Sequence, residues 1–100
     1  MTESGSLPST HATVLTDRPD RYGKQLVAHL GRRNGGQWSP ETGSGWIDLG
    51  RGRATVTARG DRLELDVVAP AEDLPRLEEV VASHLVRFGT HDELTVDWRR

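Results

Sequence analysis

The sequence contains no cysteine, which excludes disulfide bonds, thiolate nucleophiles and zinc sites built from cysteine. This absence is in keeping with a cytoplasmic protein, and we expect that location. Long apolar runs are also missing, and none approaches the roughly 20 residues that a membrane-spanning helix needs. We therefore expect no membrane partner.

Charge of one sign is not in excess either. The 100 residues carry 13 basic and 15 acidic side chains, for a net charge of −2, and 34% of them are hydrophobic. This balance is neither that of a disordered chain nor that of a basic nucleic-acid binder, so we expect no nucleic-acid partner. The length predicts one domain without a separate cofactor domain, and no cofactor is predicted.

The N-terminal stretch "MTESGSLPST" lacks the basic start and apolar centre of a signal peptide. We interpret residues 1–10 as a disordered lead and residues 11–100 as a single α+β domain. The first element is a β-prone run at 12–16.

Two helices are indicated by their start signals and apolar faces. The first begins near "TDRPD", with Asp17 as the expected N-cap, and runs to about Gly31. Its buried face contains Tyr22, Leu26, His29 and Leu30. The second begins near "APAEDLP", where Asp73 can cap it, and runs to Phe88 before Gly89 stops it. His84 lies about 40° from the centre of its apolar stripe, at about 100° per residue.

Strands are indicated by alternating apolar residues at 45–49, 53–58, 62–69 and 93–98, with glycine hairpin turns at 50–52 and 59–61. Residues 31–45, "GRRNGGQWSPETGSG", have the composition of a long loop, from which Trp38 is expected to fold back over a core edge. The order β-α-β-β-β-α-β predicts a two-layer sandwich: an antiparallel sheet of about five strands with both helices on one face.

The chemistry that the sequence allows centres on histidines. His84 and His91 cannot share a helix face because Gly89 ends the helix between them, so His91 is expected in a turn. His29 and His84 are the better pair, since both lie on helix faces that pack against the same sheet. Two histidines without carboxylates on the same faces make an incomplete metal site. The alternative is that each ring is a partly buried group satisfied locally.

The charges are distributed unevenly along the chain. Residues 17–33 carry a local balance of about +3 and residues 71–97 one of about −5. These segments form either complementary solvated faces or an anion-binding groove beside the basic segment. The "RGD" at 59–61 is explained by a hairpin turn rather than by adhesion. A further surface, with Trp46, Arg53, Glu64 and Asp66 on the polar sheet face, is either a partner surface or ordinary cross-strand pairing.

Three stretches, "RYGKQLVAH" (21–29), "RLEEVVASHLVRF" (76–88) and "ELTVDWRR" (93–100), resemble the bacterial domain-of-unknown-function 2218 family over about residues 11–100. The matched positions are Arg21, Tyr22, Lys24, Gln25, Leu26 and His29, then Leu77, Glu78, Val80, Val81, His84, Leu85, Arg87 and Phe88, then Glu93, Leu94, Val96 and Trp98. The resemblance implies no established activity. It implies an association with siderophore-interacting flavin reductases, and hence an accessory role in iron handling. The turn after His29 departs from the family, since "LGRRNGGQ" supplies arginines and glycines.

The function predicted from the sequence is a non-enzymatic binding or accessory domain for an anionic small ligand, such as an iron chelate, or for a flavin reductase partner. Its candidate site consists of Arg21, Tyr22, Lys24, His29 and His84, with the two histidines as candidate iron contacts. Two alternatives stay open. One is a small enzyme using the histidine pair as general acid and base; the other is a homodimer formed through the polar sheet face.

Overall fold

The computed structural model describes residues 7–89 and 93–100. Within these ranges the chain forms six strands and two α-helices. In chain order they are β1 (Ser9–Leu15), α1 (Pro19–Asn34), β2 (Gly36–Ser39), β3 (Ser44–Asp48), β4 (Arg53–Arg59), β5 (Arg62–Val68), α2 (Leu74–Phe88) and β6 (Trp98–Arg99). A single 3-10 turn, Ala71–Asp73, precedes α2.

The strands form one antiparallel sheet in the order β2-β3-β4-β5-β1-β6. Both helices pack on the same face and contact each other, which confirms the predicted two-layer α+β architecture with one strand more than expected. The core between the layers contains the alternating residues that the sequence places on one sheet face. Fully buried among them are Ile47, Ala54, Val56, Leu63, Leu65 and Val67.

The prediction of a long loop at 31–45 was wrong. Helix α1 continues three residues past Gly31 to Asn34, and β2 follows almost at once. The glycines serve a close approach instead: a Cβ on Gly36 would lie 2.9 Å from the Trp46 carbonyl oxygen and 3.2 Å from the Gly31 Cα. Because no side chain intervenes, the end of α1 packs directly on the edge strand that follows it.

Trp38 on β2 covers the edge of the core, as predicted. Its ring lies over Gly23 of α1, where an added Cβ would be 2.7 Å from the Trp38 Cη2 atom. The contact explains why a helix tolerates a glycine in its interior, since the absent side chain makes room for an indole ring.

The helix starts differ in detail from the predictions. Asp17 is not the N-cap of α1; Arg18 holds that position, and its backbone N–H donates to the Thr16 Oγ1 atom at 3.0 Å. Asp73 does occupy the N-cap position of α2, but its side chain makes no capping hydrogen bond. The end of α2 at Phe88, followed by Gly89, is confirmed.

The chain ends also depart from the predictions. Strand β1 begins at Ser9, and Thr10 is buried, so the last two residues of the predicted lead belong to the sheet. The last strand was predicted at 93–98, but only Trp98–Arg99 pairs with β1. The remainder of the predicted lead, residues 1–6, and the predicted turn residue His91 lie outside the described residues.

An ion pair fixes the C-terminus to α2. The Arg100 Nε and Nη2 atoms donate to the two carboxylate oxygens of Glu78 at 3.1 and 3.0 Å. This guanidinium holds the pKa of Glu78 below its usual range, and its effect exceeds the opposing effect of partial burial. The bridge therefore stabilises the fold above the ordinary pKa of a glutamate and stops doing so as the pH falls through the lowered value.

We expect Glu78→Gln to reduce stability near neutral pH and to have little effect in acid. The difference in unfolding free energy between wild type and variant should shrink as the pH falls below the ordinary pKa of a glutamate and through the lowered pKa of Glu78, because the wild-type carboxylate becomes protonated there. Urea denaturation at a series of pH values measures it. The control is Glu79→Gln, an exposed neighbour that makes no ion pair within the described residues. A gap that stays constant or widens in acid would contradict the assignment.

Candidate functional site

The two histidines singled out by the sequence face each other between the helices. Their ring centroids are 5.0 Å apart with the planes inclined at 43°, and the edge of Phe88 meets the His29 ring at 5.5 Å between centroids. His84 is half-buried, whereas His29 is exposed. His29 therefore lies at the margin of the α1 apolar face, not inside it as the helical wheel suggested.

The hydrogen bond of His84 determines which of its nitrogens carries the proton. The Nδ1 atom lies 2.7 Å from the Val80 carbonyl oxygen, one turn earlier in α2. A carbonyl oxygen only accepts, so Nδ1 is the donor, and Nε2 of the neutral ring is left with a lone pair. Histidines that bind ligands or metals are commonly oriented by such a backbone contact.

Beside the histidine pair lies a cleft of about 600 Å³ between the end of α1, the first half of α2 and the β3–β4 hairpin. One part of its lining is apolar, formed by Leu30, Leu49, Leu77 and Val80. The other part is charged, formed by Arg32, Arg33, Arg51, Arg76, Asp48 and Asp73, with Asn34 beside them. We call this the basic cleft.

The two acids of the basic cleft are already engaged. One oxygen of Asp48 accepts the Gly50 backbone N–H at 2.8 Å, and the Arg51 Nε atom lies 3.7 Å from the Asp73 carboxylate. Within residues 7–89 and 93–100, the other three arginines of the cleft, Arg32, Arg33 and Arg76, make no ion pair. The cleft thus presents an excess of positive charge next to an apolar wall, an arrangement suited to an organic anion.

The remaining predicted site residues do not lie at the cleft. Arg21 and Lys24 are exposed on other sides of α1, and Lys24 lines a small surface depression near Trp38. Tyr22 is buried in the core, with its ring near Gly89. Although it shares a wheel direction with His29, it precedes it by seven residues, about 10 Å along the helix axis. Of the five predicted residues, the structure brings together only His29 and His84.

Sequence reasoning named none of the cleft arginines as site residues, although Arg32 and Arg33 belong to the basic segment 17–33, beside which an anion-binding groove was one alternative. Two of them end α1, one lies in the "GRGR" hairpin and one lies in α2, in the segment whose net charge is strongly negative. A charge sum over residues 71–97 is dominated by the acidic side chains, so it does not reveal that Arg76 lines the basic cleft. The sequence did contain one indication of the cleft. Arg76 lies one helical turn before Val80 and two turns before His84, so the helical spacing places its guanidinium group on the same face of α2 as the histidine.

No metal centre is evident at the histidine pair. Among residues 7–89 and 93–100, no three histidine, aspartate or glutamate side chains are grouped closely enough to hold an ion.

In the same part of the chain, no helix has the length and apolar character required to cross a bilayer.

The polar sheet face contains ordinary cross-strand pairs at several positions. The Arg53 guanidinium carbon lies 4.4 Å from the centre of the Trp46 ring. Glu64 lies 3.4 Å from Arg59 of the neighbouring strand β4 and accepts a hydrogen bond at 3.0 Å from Arg62, two residues earlier on its own strand. The hydrogen bond from Arg62 lowers the pKa of Glu64 below its usual range. These contacts match the solvated-pairing interpretation of this face.

Together, the fold and the cleft define a small two-layer α+β domain with an open antiparallel sheet and a basic, partly apolar cleft at one end of its helices. The chain belongs to the bacterial family described as "Uncharacterized protein conserved in bacteria (DUF2218)", whose profile matches residues 11–99; this confirms the resemblance seen in the sequence. Its structure is similar to the NMR structure of PA4090 from Pseudomonas aeruginosa, with 28% identity and a TM-score of 0.73. The match covers 91% of this chain and 94% of that one. No curated protein matches the sequence.

Proposed function

We propose that this domain is a binding module for a small organic anion, which occupies the basic cleft. The observation that carries the proposal is the combination of three arginines without ion-pair partners in the described residues and a wall of leucine and valine side chains. The cleft volume of about 600 Å³ falls in the range of about 300–1,000 Å³ that is common for small-molecule sites.

The chemistry of the cleft indicates the kind of anion. Guanidinium groups recognise the planar, two-oxygen faces of carboxylates and phosphates through paired N–H donors. Three of them around one cleft favour a ligand with more than one negative charge, and the apolar wall favours a hydrocarbon or aromatic body. Because Nδ1 of His84 donates to the Val80 carbonyl oxygen, Nε2 is the atom that can accept from a hydroxyl or N–H group of the ligand when the ring is neutral.

An anionic iron chelate, the ligand class implied by the family resemblance, has the charge that this cleft attracts. We include it in the proposal as one candidate, delivered to or received from a flavin reductase partner. In this role the histidines would contact the chelator, because a pair of imidazoles alone is an incomplete set of iron ligands.

The proposal is tested by thermal shift and calorimetric titration with aromatic carboxylates, phosphate monoesters, ferric chelates and the iron-free chelators. A ligand of the right class should stabilise the domain by about 2.7 kcal/mol at a hundredfold excess over its Kd. Each anion is paired with its neutral amide or ester analogue. Equal shifts for an anion and its neutral analogue, or no shift with any anion at low salt, would exclude this function.

A second candidate function, general acid–base catalysis on the bound anion, is favoured by the 5.0 Å separation of the two imidazole rings. The two functions differ in what becomes of the ligand. Incubation with each ligand found in the titration, followed by chromatography, should return it unchanged from a binding module. Conversion that His84→Gln abolishes while leaving affinity intact would establish catalysis instead.

A further inference from the structure

A second cluster of reactive side chains lies on the polar sheet face, outside the basic cleft. The His11 Nδ1 atom is 2.8 Å from the Asp66 Oδ1 atom, and the His11 Nε2 atom is 3.3 Å from the Thr13 hydroxyl oxygen. These contacts order a carboxylate, an imidazole and a hydroxyl in one hydrogen-bonded chain. We call it the Asp66–His11–Thr13 chain.

Strand register fixes this arrangement. His11 and Thr13 are two residues apart on β1, so they emerge on the same sheet face. Asp66 is the direct partner of His11 on β5. Strand β5 lies between β4 and β1, and β1 lies between β5 and β6, so the three side chains project from interior strands of the sheet, although the β6 pairing reaches only His11 and Ala12 of β1.

The hydrogen bonds also determine the direction of proton transfer. A carboxylate oxygen accepts and does not donate, so His11 Nδ1 is the donor in the contact with Asp66. In the neutral ring Nε2 then has the lone pair, and the Thr13 hydroxyl is the group that donates to it. A hydroxyl placed against an imidazole that is oriented by a carboxylate is the arrangement that activates an oxygen nucleophile.

The surroundings provide room for a small substrate and a cation for its developing charge. A depression of about 330 Å³ is lined by His11, Thr13, Asp97 and Arg99. Arg99 is the β6 partner of His11, so its guanidinium belongs to the same end of the sheet face. A cation there can stabilise the oxyanion formed when a carbonyl carbon is attacked.

We propose that the Asp66–His11–Thr13 chain is a site of acyl transfer from small activated esters. The Thr13 oxygen forms a bond to the ester carbonyl carbon while its proton passes to His11 Nε2. The C–O bond to the leaving group then breaks, and the proton returns from His11 to the departing oxygen. Water then adds to the acyl carbon while the same imidazole takes its proton; the bond to the Thr13 oxygen breaks, the carboxylic acid leaves, and the proton passes from His11 to the Thr13 oxygen. Positioned general-base catalysis contributes about 10²–10⁴-fold, and the exposure of this face favours the lower end.

The test uses the intact protein and 4-nitrophenyl acetate, with nitrophenolate release measured by absorbance and the acetylated residue identified by peptide mass mapping. We expect an acetyl group on Thr13 and at least a tenfold fall in protein-dependent release in Thr13→Val, His11→Gln and Asp66→Asn. The control is Thr55→Val, because Thr55 is exposed on the same face and is the β4 partner of Asp66. It should react like the wild type.

The outcomes separate the proposal from its alternatives. Acetylation confined to lysine or the N-terminus, or release unchanged in Thr13→Val, would overturn it. Release that depends on His11 but not on Thr13 would also overturn it, since the imidazole would then be the nucleophile itself. Each substitution alters an exposed or half-buried side chain, so we expect the variants to fold. Far-UV circular dichroism of each variant verifies that a loss of nitrophenolate release is not caused by unfolding.

Discussion

Replacing Arg33 and Arg76 together with glutamine should weaken anion binding in the basic cleft by about two to four orders of magnitude. Hydrogen bonds to charged groups contribute about 1.5–3 kcal/mol each, and each 1.4 kcal/mol is a factor of ten in affinity. The two arginines come from different helices and have no carboxylate partner in the described residues, so both are available to the ligand. Calorimetric titration with the anion found in the ligand panel measures the loss.

The matched control is the double variant Arg21→Gln, Lys24→Gln. Like the test variant, it removes two positive charges. Both come from exposed positions of α1 that do not line the cleft. Affinity should change by less than a factor of about ten, through long-range electrostatics alone. If both double variants lose affinity equally, or if only the control loses it, the ligand does not bind in the basic cleft.

Leu26→Ala should destabilise the domain by about 2–5 kcal/mol, since the Leu26 side chain is fully buried between α1 and the sheet. Truncating the side chain loses the transfer free energy of the removed atoms. It also leaves a cavity that the surrounding strands cannot close, which lowers the stability further. Chemical denaturation at neutral pH measures the change. The same substitution at Leu15, which is 72% exposed, should alter stability by less than about 0.5 kcal/mol. A loss below about 1 kcal/mol at Leu26 would mean that α1 is not anchored as the structure shows.

The layers of this fold could be predicted from the sequence because their signals are local. Alternation along β3, β4 and β5 indicates which face is buried, and the register of Ala54 with Val67 and of Val56 with Leu65 places those residues side by side in the core. Helix α2 has a continuous apolar stripe and a glycine at its end, and its predicted bounds were accurate. Each of these patterns arises within one segment of the chain.

Strand β2 could not be predicted because it depends on a tertiary contact and not on a local sequence pattern. Glycines at 31 and 36 have the composition of a loop, yet they allow a helix end and an edge strand to touch. The lining of the cleft could not be named for a similar reason, since it comes from three separate segments, residues 29–34, 48–51 and 73–84. Of the five residues predicted for the site, only the two histidines lie there, because both rings lie on helix faces that steps of about 100° per residue predict. The alternative of an anion-binding groove beside residues 17–33 gave the charge of the cleft but not its lining.

The contact between Gly31 and Gly36 also sets the distance between β2 and the end of α1, whose arginines line the basic cleft. Arg32 and Arg33 occupy the helical turn that this backbone contact holds against β2. A methyl group at Gly36 would lie 2.9 Å from the Trp46 carbonyl oxygen of β3 and 3.2 Å from the Gly31 Cα, so we expect Gly36→Ala to shift β2 relative to both β3 and the helix end that carries the two arginines. Neither glycine lines the cleft. We therefore expect a single methyl group at position 36, outside the lining of the cleft, to change where Arg32 and Arg33 are held.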